Sequence, residues 1–154
     1  MSNTDRASLA ARLQAHILEH IPLARAMELR VARYDGAELE LGAPLAPNIN
    51  DKGCAFGGSM ASLMTLAGWG LLELALRAHD IECDIYVGDS QLRYLEPLWG
   101  ELRAIARFAQ ADALDTFLKT LSARGKARIK VLCAVAGGER DAATLEAAFV
   151  AKMR

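Results

Sequence analysis

One long apolar segment constrains this chain more than any other feature. Between Gly57 and Arg77, apolar side chains cover nearly every face of a helical projection, and a helix of that kind has to be buried by the rest of its chain. The part from Met60 to Leu76 is too often interrupted for a membrane span, which takes roughly 18 uninterrupted apolar residues. The segment 57–79 therefore predicts a buried central helix, and no membrane segment is expected. The interruptions are Ser62, Thr65, Gly68, Gly70 and Glu73.

The rest of the chain is large enough to surround such a helix. Its 154 residues are 53% apolar, and a chain of this length buries roughly 70% of its unfolded surface in one domain. We therefore expect a single domain over 1–154. A formal net charge of −1 argues against nucleic-acid binding, which requires clustered Lys and Arg. The expected partners are small molecules or a second copy of the chain.

The cysteines and the N-terminus indicate the compartment. Cys54, Cys83 and Cys133 are odd in number and widely spaced, with no Cys-x-x-Cys pair. They predict reduced thiols without a disulfide or a zinc site. The first residues are polar and contain no apolar leader, so a cytoplasmic location is expected. No metal or other cofactor is predicted.

The first half of the chain predicts a helix, a hairpin and a loop. Leu9, Leu13 and Ile17 recur at helical spacing, which predicts an N-terminal helix over 1–20 that ends before Pro22. The dipeptide Asp35-Gly36 stands between two short alternating runs and predicts a β-hairpin. Residues 43–56 are rich in Pro, Asn, Asp and Gly, as in a loop. Ser59 could cap the central helix that follows.

The second half of the chain alternates as strands do. Strands are expected over 84–95, 101–109, 126–133 and 144–153. In the third of these strands Lys126, Arg128 and Lys130 alternate with apolar residues, which predicts a solvated basic face that could also meet CoA phosphates or an acidic carrier protein. Residues 112–124 fit either a short helix or a strand and turn. Together the elements predict an α+β fold, with an antiparallel sheet of about five to six strands wrapped around one long central helix, and an extra N-terminal helix.

Three segments resemble a known family. Residues 47–59 (PNINDKGCAFGGS), 67–72 and 89–97 are similar to hotdog-fold thioesterases of the YiiD C-terminal-domain type, and the likeness extends from Ile21 to the end. The resemblance implies a hotdog fold and a homodimer whose sheets join edge to edge. Assembly of two such dimers into a tetramer is left open. It implies that thioesters of acyl-CoA or acyl-carrier protein bind at the dimer interface.

The glycines before the central helix suit this chemistry. Attack of water on a thioester carbonyl creates an oxyanion, and backbone amides at a helix N-terminus can hold that oxygen. Gly57 and Gly58 have no side chain that would block the approach of a carbonyl. The alternative is that they only permit a sharp turn and close packing. With Gly58 in a catalytic role, we expect Gly57 and its neighbours Phe56 and Ser59 to bind substrate.

Residues 47–56, which we call the motif loop, contain further candidates and depart from the broader hotdog pattern. Asn50 matches an Asn of that pattern and is the candidate to orient water or the thioester carbonyl, with Asn48 as a substrate-binding residue. Both could instead only form turns. Phe56 replaces the His that precedes the glycines in broader hotdog thioesterases. Thr65 occupies the helix position where many relatives have Asp or Glu, so the usual general base is missing and Thr65 is left to position water.

Asp89 and Ser90 are the candidates to replace that base. They lie in the middle of a strand that we expect to be central, where a buried Asp is costly unless it is functional or paired with a residue such as Arg93. Glu73 is a weaker candidate because it can pair with Arg77 four residues on. Cys54 has no His beside it to activate it as a nucleophile.

These residues predict hydrolysis of an acyl thioester by activated water, without a covalent intermediate. Two alternatives stay open. A hotdog hydratase or dehydratase would need a His with a carboxylate, and no His lies in the motif loop. A non-catalytic acyl-CoA-binding protein would explain the absence of the helix carboxylate.

Overall fold

A six-stranded antiparallel sheet curves around one long helix. The computed structural model describes residues 1–154, and the strands lie in the order β1-β2-β4-β5-β6-β3. The strands are β1 Arg30–Tyr34, β2 Glu38–Ala43, β3 Cys83–Tyr94, β4 Leu102–Phe108, β5 Lys126–Val135 and β6 Ala143–Met153. The helices are α1 Asn3–His20, α2 Pro22–Met27, α3 Gly57–Ala78 and α4 Ala113–Arg124, with a 3-10 turn at Ala46–Asn48.

The central helix is the predicted one. Helix α3 packs against strands β2 to β6, and most of its side chains from Met60 onward are buried. It is long and apolar enough to cross a membrane by length and composition, but here it is the core helix of the sheet. It begins at Gly57 with Phe56 as its N-cap, without a side-chain cap. The prediction that Ser59 caps this helix is therefore wrong, since Ser59 is its third residue.

The N-terminal helix and the hairpin are confirmed. A capping box begins α1: the Asp5 amide donates to Ser2 Oγ at 3.1 Å, and the Ser2 amide donates to Asp5 Oδ2 at 3.0 Å. Helix α2, which the sequence analysis missed, begins at Pro22, because proline ends one helix and favours the first turn of another. Asp35 accepts from the amides of Ala37 and Glu38 in the hairpin, and these bonds lower the pKa of its carboxyl.

Strand β3 lies at the edge of the sheet, so the expectation that it is central is wrong. It pairs only with β6, and its register shifts between Val87 and Asp89. Before the shift Val87 is opposite Phe149, whereas after it Ser90 is opposite Ala147. Phe149 and Ala147 are buried on the inner face of the sheet, the face that α3 covers. The bulge therefore turns Ser90 inward and Asp89 outward.

Residues 112–124 fitted either a helix or a strand and turn, and the structure shows a helix. Helix α4 buries Phe117 and Leu121, and Gly125 ends it in the left-handed conformation with φ of 69°. The last segment forms β6, as expected. In β5 the inner residues Ala127 and Ile129 are buried while Lys126, Arg128 and Lys130 are exposed, as the alternation predicted.

Candidate active site

The N-terminus of α3 presents two unpaired backbone amides. Gly57 and Gly58 begin the helix, and no acceptor within the chain pairs with their N–H groups. The next two amides, those of Ser59 and Met60, both donate to the Phe56 carbonyl, at 3.0 and 3.1 Å. Aligned peptide dipoles make this end of a helix positive, by roughly half an elementary charge. These two free amides, which we call the amide pair, can therefore bind an oxygen atom that is becoming anionic.

Two aromatic rings lie against these glycines. A Cβ built on Gly58 would overlap the Phe56 ring, with Cζ at 2.9 Å, and one built on Gly57 would lie 3.1 Å from Tyr94 Cε1. The Tyr94 hydroxyl donates to the Gly57 carbonyl at 3.3 Å. Glycine at both positions therefore permits the close approach of the rings and leaves the amides open, and a side chain at either position would displace the adjoining ring.

Asn48 holds the loop from inside. It is 1% exposed, and its Nδ2 donates to the carbonyls of Met27 and Pro44 at 3.0 and 2.8 Å. Its own carbonyl accepts the Phe56 amide at 2.7 Å. Its Oδ1 is buried without a partner in the chain. Asn48 thus connects the end of α2 and the start of the loop to the residue that caps α3, and its side chain does not face the open surface.

Asn50 lies in the same loop and bonds to its neighbours. Its Oδ1 accepts the amides of Lys52 and Cys54 at 2.8 and 3.3 Å, and its Nδ2 donates to Cys54 Sγ at 3.2 Å. One hydrogen of Nδ2 is left without an acceptor. The exposed loop residue Asp51 pairs with Lys52 at 3.0 Å, and this ammonium lowers the pKa of the Asp51 carboxyl.

Thr65 lies on α3, seven residues beyond Gly58, about 10 Å along the axis. It is half-buried, and its hydroxyl donates to the Ala61 carbonyl at 2.8 Å. Because its hydrogen is used in the helix, Oγ1 can still accept a hydrogen bond from a water. Ser59, two residues before Ala61, is also half-buried and belongs to the first turn of the helix.

The structure separates Asp89 from this group. Its side chain is 83% exposed on the outer face of the sheet and forms an ion pair with Arg128, rather than with Arg93 as the sequence suggested. Ser90 points to the inner face of the same edge strand. Within one chain, therefore, Ser90 shares a face with α3 and Asp89 does not.

The other acids and bases have structural partners or lie elsewhere. Glu73 pairs with Arg77 at 2.7 Å, as expected from their spacing. His16 and His20 lie on α1, and His79 follows the C-terminus of α3, so no histidine lies at the amide pair. No group of three His, Cys, Asp or Glu side chains is placed to hold a metal ion. A cavity of about 550 Å³ lies between α1 and β1, and no residue of the motif loop lines it.

The motif and the fold together decide the family. Residues 10–153 match the family described as "Putative thioesterase (yiiD_Cterm)". The chain belongs to this family. The resemblance predicted from the motif loop is thereby confirmed.

Solved structures share this architecture. A "putative thioesterase" from Shewanella oneidensis is 28% identical with a TM-score of 0.85, covering 96% of this chain and 99% of its own. A Chlorobaculum tepidum protein of unknown function is 28% identical with a TM-score of 0.92, covering 97% of each chain. A Haemophilus influenzae thioesterase, 10% identical with a TM-score of 0.69 over 94% of this chain and 90% of its own, shares the fold. The predicted α+β hotdog fold is confirmed.

Sequence analysis missed the part that Tyr94 plays in this family member. In the sequence, Tyr94 was only one residue of the segment 89–97 that resembles the family. In the structure its ring packs against Gly57. Only the pairing of β3 and the path of the loop bring the two residues together, 37 positions apart. The local signal was an aromatic residue just before a proline-containing loop, which does not indicate what the ring contacts.

Proposed function

We propose that the protein hydrolyses an acyl thioester, carried by CoA or by an acyl-carrier protein, at the N-terminus of α3. The observation that carries this proposal is the pair of unpaired amides of Gly57 and Gly58 at the start of a buried 22-residue helix. Water attacks the carbonyl carbon, a C–O bond forms, and the amides hold the oxyanion. When the C–S bond breaks, the thiolate takes up the proton that the attacking water gives up, and the free acid remains.

The attacking water would be held by hydroxyl and amide groups. The Thr65 Oγ1 can accept from a water because its own hydrogen is bound to Ala61. Ser90 offers a second hydroxyl on the inner face, and Asn50 offers its free Nδ2 hydrogen to the water or the carbonyl. Asp89 faces the opposite side of the sheet and has an arginine partner. The site would therefore act by binding the attacking water and the oxyanion. It has no carboxylate base on the face of the sheet that α3 covers.

The working unit would be a homodimer joined through β3. This strand has 12 residues, pairs with β6 on one side only and is exposed along most of its length. A long unprotected edge strand is a template for pairing with another chain. Pairing of two β3 strands would place Ser90 of each copy close to the joint. Reduced cysteines and a CoA-type or carrier-bound substrate fit a cytoplasmic enzyme.

Release of free thiol tests the reaction. Acyl-CoA and acyl-carrier-protein substrates of several chain lengths would be incubated with the protein, and the thiol detected colorimetrically. We expect turnover of at least one acyl thioester. Absence of release above background across both carriers would overturn the enzymatic proposal.

One observation favours a second candidate, a non-catalytic binder of acyl thioesters. Thr65 replaces the helix carboxylate of many relatives, and the replacement candidate Asp89 points away from α3. Calorimetric binding of acyl-CoA without any thiol release would identify this function instead. A hydratase or dehydratase is disfavoured by the absence of a histidine at the amide pair.

A further inference from the structure

Four large exposed side chains lie on the segments that meet at the N-terminus of α3. Ile49, Phe56, Tyr94 and Trp99, which we call the apolar rim, are each at least half exposed. Three of them belong to the nine Phe, Tyr and Trp residues of the whole chain. Large apolar side chains that are exposed together commonly mark a ligand site or an interface.

Backbone contacts gather the rim from three segments. Ile49 pairs with Ala55 in an isolated bridge, which brings the two ends of the motif loop together. The Ala55 amide donates to the Leu98 carbonyl at 2.8 Å, so Trp99 follows directly beside the loop. The hydrogen bond from Tyr94 to the Gly57 carbonyl, 3.3 Å long, fixes the end of β3 to the first turn of α3.

The rings adjoin the position that a reacting carbonyl would take. The Phe56 ring lies on Gly58 and the Tyr94 ring on Gly57, the two residues whose amides are unpaired. A group bonded to a carbonyl held by those amides would contact the rings directly. Apolar walls with a few convergent polar groups are the ordinary composition of a small-molecule site.

We propose that the apolar rim is the acyl subsite, and that it selects apolar acyl groups several carbons longer than acetyl. This inference rests on the proposed thioester site. The rim disfavours charged acyl groups, because a charge that loses water against its four apolar or aromatic members gains no partner from them. Each additional buried methylene favours binding several-fold, so the preference rises with chain length until the rim is filled.

Binding of stable thioethers tests the subsite without requiring catalysis. S-octyl-CoA and S-ethyl-CoA would be titrated by calorimetry, and the emission of Trp99 followed in a Trp69→Phe background. We expect the octyl compound to bind at least about tenfold more tightly, roughly the effect of burying two methylenes, and to shift the Trp99 emission to shorter wavelength. Phe56→Ala and Trp99→Ala are each expected to reduce the preference to threefold or less.

Tyr86→Ala is the matched control. Tyr86 is an equally exposed aromatic residue of β3, but it lies on the outer face opposite Val150. This variant should retain the full preference for the octyl compound. Phe56 and Trp99 are each at least half exposed, so their truncation should leave the buried core unchanged. Thermal unfolding of the two variants would verify this.

Several outcomes would overturn the proposal. They are equal affinity for the two thioethers, no binding of either, or an unchanged preference in both rim variants. If the rim variants instead dissociate an oligomer while keeping the preference, the rim is an interface between copies. Chain-length preference without thiol release would leave the acyl subsite standing and overturn only hydrolysis, so the two proposals can fail separately.

Discussion

Gly58 is the residue on which the proposed chemistry depends most directly. A methyl group there would push against the Phe56 ring, which is half exposed and free to turn, and would crowd the adjacent amide. We expect Gly58→Ala to lower thiol release by about 10²–10³, the effect of losing one oxyanion donor. Its stability should not fall, because alanine favours a helix by about 1 kcal/mol over glycine.

The same substitution elsewhere in α3 provides the control for the Gly58 experiment. Gly70→Ala lies 12 residues further along the helix, away from the amide pair, and should retain thiol release within about twofold. Wild-type release by Gly58→Ala would contradict the assignment of the oxyanion position to these amides.

Substitution of Asp89 distinguishes a residue that only forms an ion pair from one that acts as a catalytic base. Because Asp89 faces outward and pairs with Arg128, we expect Asp89→Asn to change thiol release by less than about threefold, whereas loss of a general base costs about 10²–10⁴-fold. Asp84→Asn is matched to it, since Asp84 lies on the same outer face and pairs with Arg154 at 2.9 Å. A large loss in Asp89→Asn alone would restore Asp89 as the base.

Cys133 gives the molecule a stability that depends on pH. Burial raises the pKa of its thiol from an ordinary 9.0 to about 12. Between these values the unfolded chain loses the proton that the native state keeps, so this contribution is complete below pH 9 and is lost as the pH rises toward 12. The slope for one proton is at most about 1.4 kcal/mol per pH unit.

Urea unfolding measures the contribution of the Cys133 thiol. The free energy of unfolding of wild type and Cys133→Ala would be compared at pH 8 and pH 10.5, and the wild type should lose more of it over this interval. Parallel pH dependence in the two proteins would show that the thiol titrates normally in the folded state.

At the scale of elements, α3 depends on a glycine for its packing. A Cβ on Gly68 would lie 2.7 Å from Cε2 of the fully buried Phe149 and 3.4 Å from Cys133 Sγ. An aromatic ring enclosed in the core cannot move aside. We expect Gly68→Ala to lower the free energy of unfolding by about 1–2 kcal/mol, because the overpacking penalty exceeds the gain in helix propensity.

Gly70→Ala is again the comparison for the Gly68 substitution. Its Cβ would meet the ends of Leu39 and Leu13, with Cδ2 atoms at 2.9 and 3.2 Å, and leucine side chains can adjust by rotation. The change in stability, measured by urea unfolding, should stay within about 0.5 kcal/mol. A larger loss for Gly70→Ala than for Gly68→Ala would contradict this account of the core.

In strand β3, the alternation of apolar and polar residues predicted the strand itself but not its place in the sheet. The period of two predicted a strand through Asp89 and Ser90, and the strand is present. Its position at the edge depends on which strands pair with it, and the bulge after Val87 moves Asp89 to the outer face. Neither feature is visible in the local pattern, because pairing partners lie about 60 residues away in the chain.

For the whole molecule, the unprotected edge of β3 predicts the assembly. Val87 lies on the inner face of this edge strand and is 47% exposed. We expect Val87→Lys to place like charges close together across the joint between two copies and to give a monomer in sedimentation experiments. Thiol release should fall with the dimer, because the strand that forms the joint also carries Ser90 and Tyr94 of the candidate site.

The second edge strand provides the control for the assembly experiment. Ala32→Lys puts the same charge on β1, at the opposite edge of the sheet, and should leave the oligomeric state unchanged. A dimer that persists in Val87→Lys and dissociates in Ala32→Lys would assign the joint to the other edge.

The sequence alone determined the central helix, the hairpin and the family. The apolar segment fixed α3 as the buried helix, because no other arrangement hides side chains on every face of a helix. Asp35-Gly36 determined the hairpin through local turn chemistry. The motif segment 47–59 indicated the family and pointed to Gly57 and Gly58 as candidate site residues. These features depend on residues close together in the chain, so their physical causes can be recognised there.

Only the tertiary structure decided which side chains meet. It buried Asn48, laid Tyr94 and Phe56 on Gly57 and Gly58, and turned Asp89 away from α3. The local pattern left residues 112–124 open between a helix and a strand with a turn, and packing of Phe117 and Leu121 into the core decided for the helix. Contacts between distant segments follow from strand order, register and one bulge, and these are set by the energy of the complete core rather than by any segment within it.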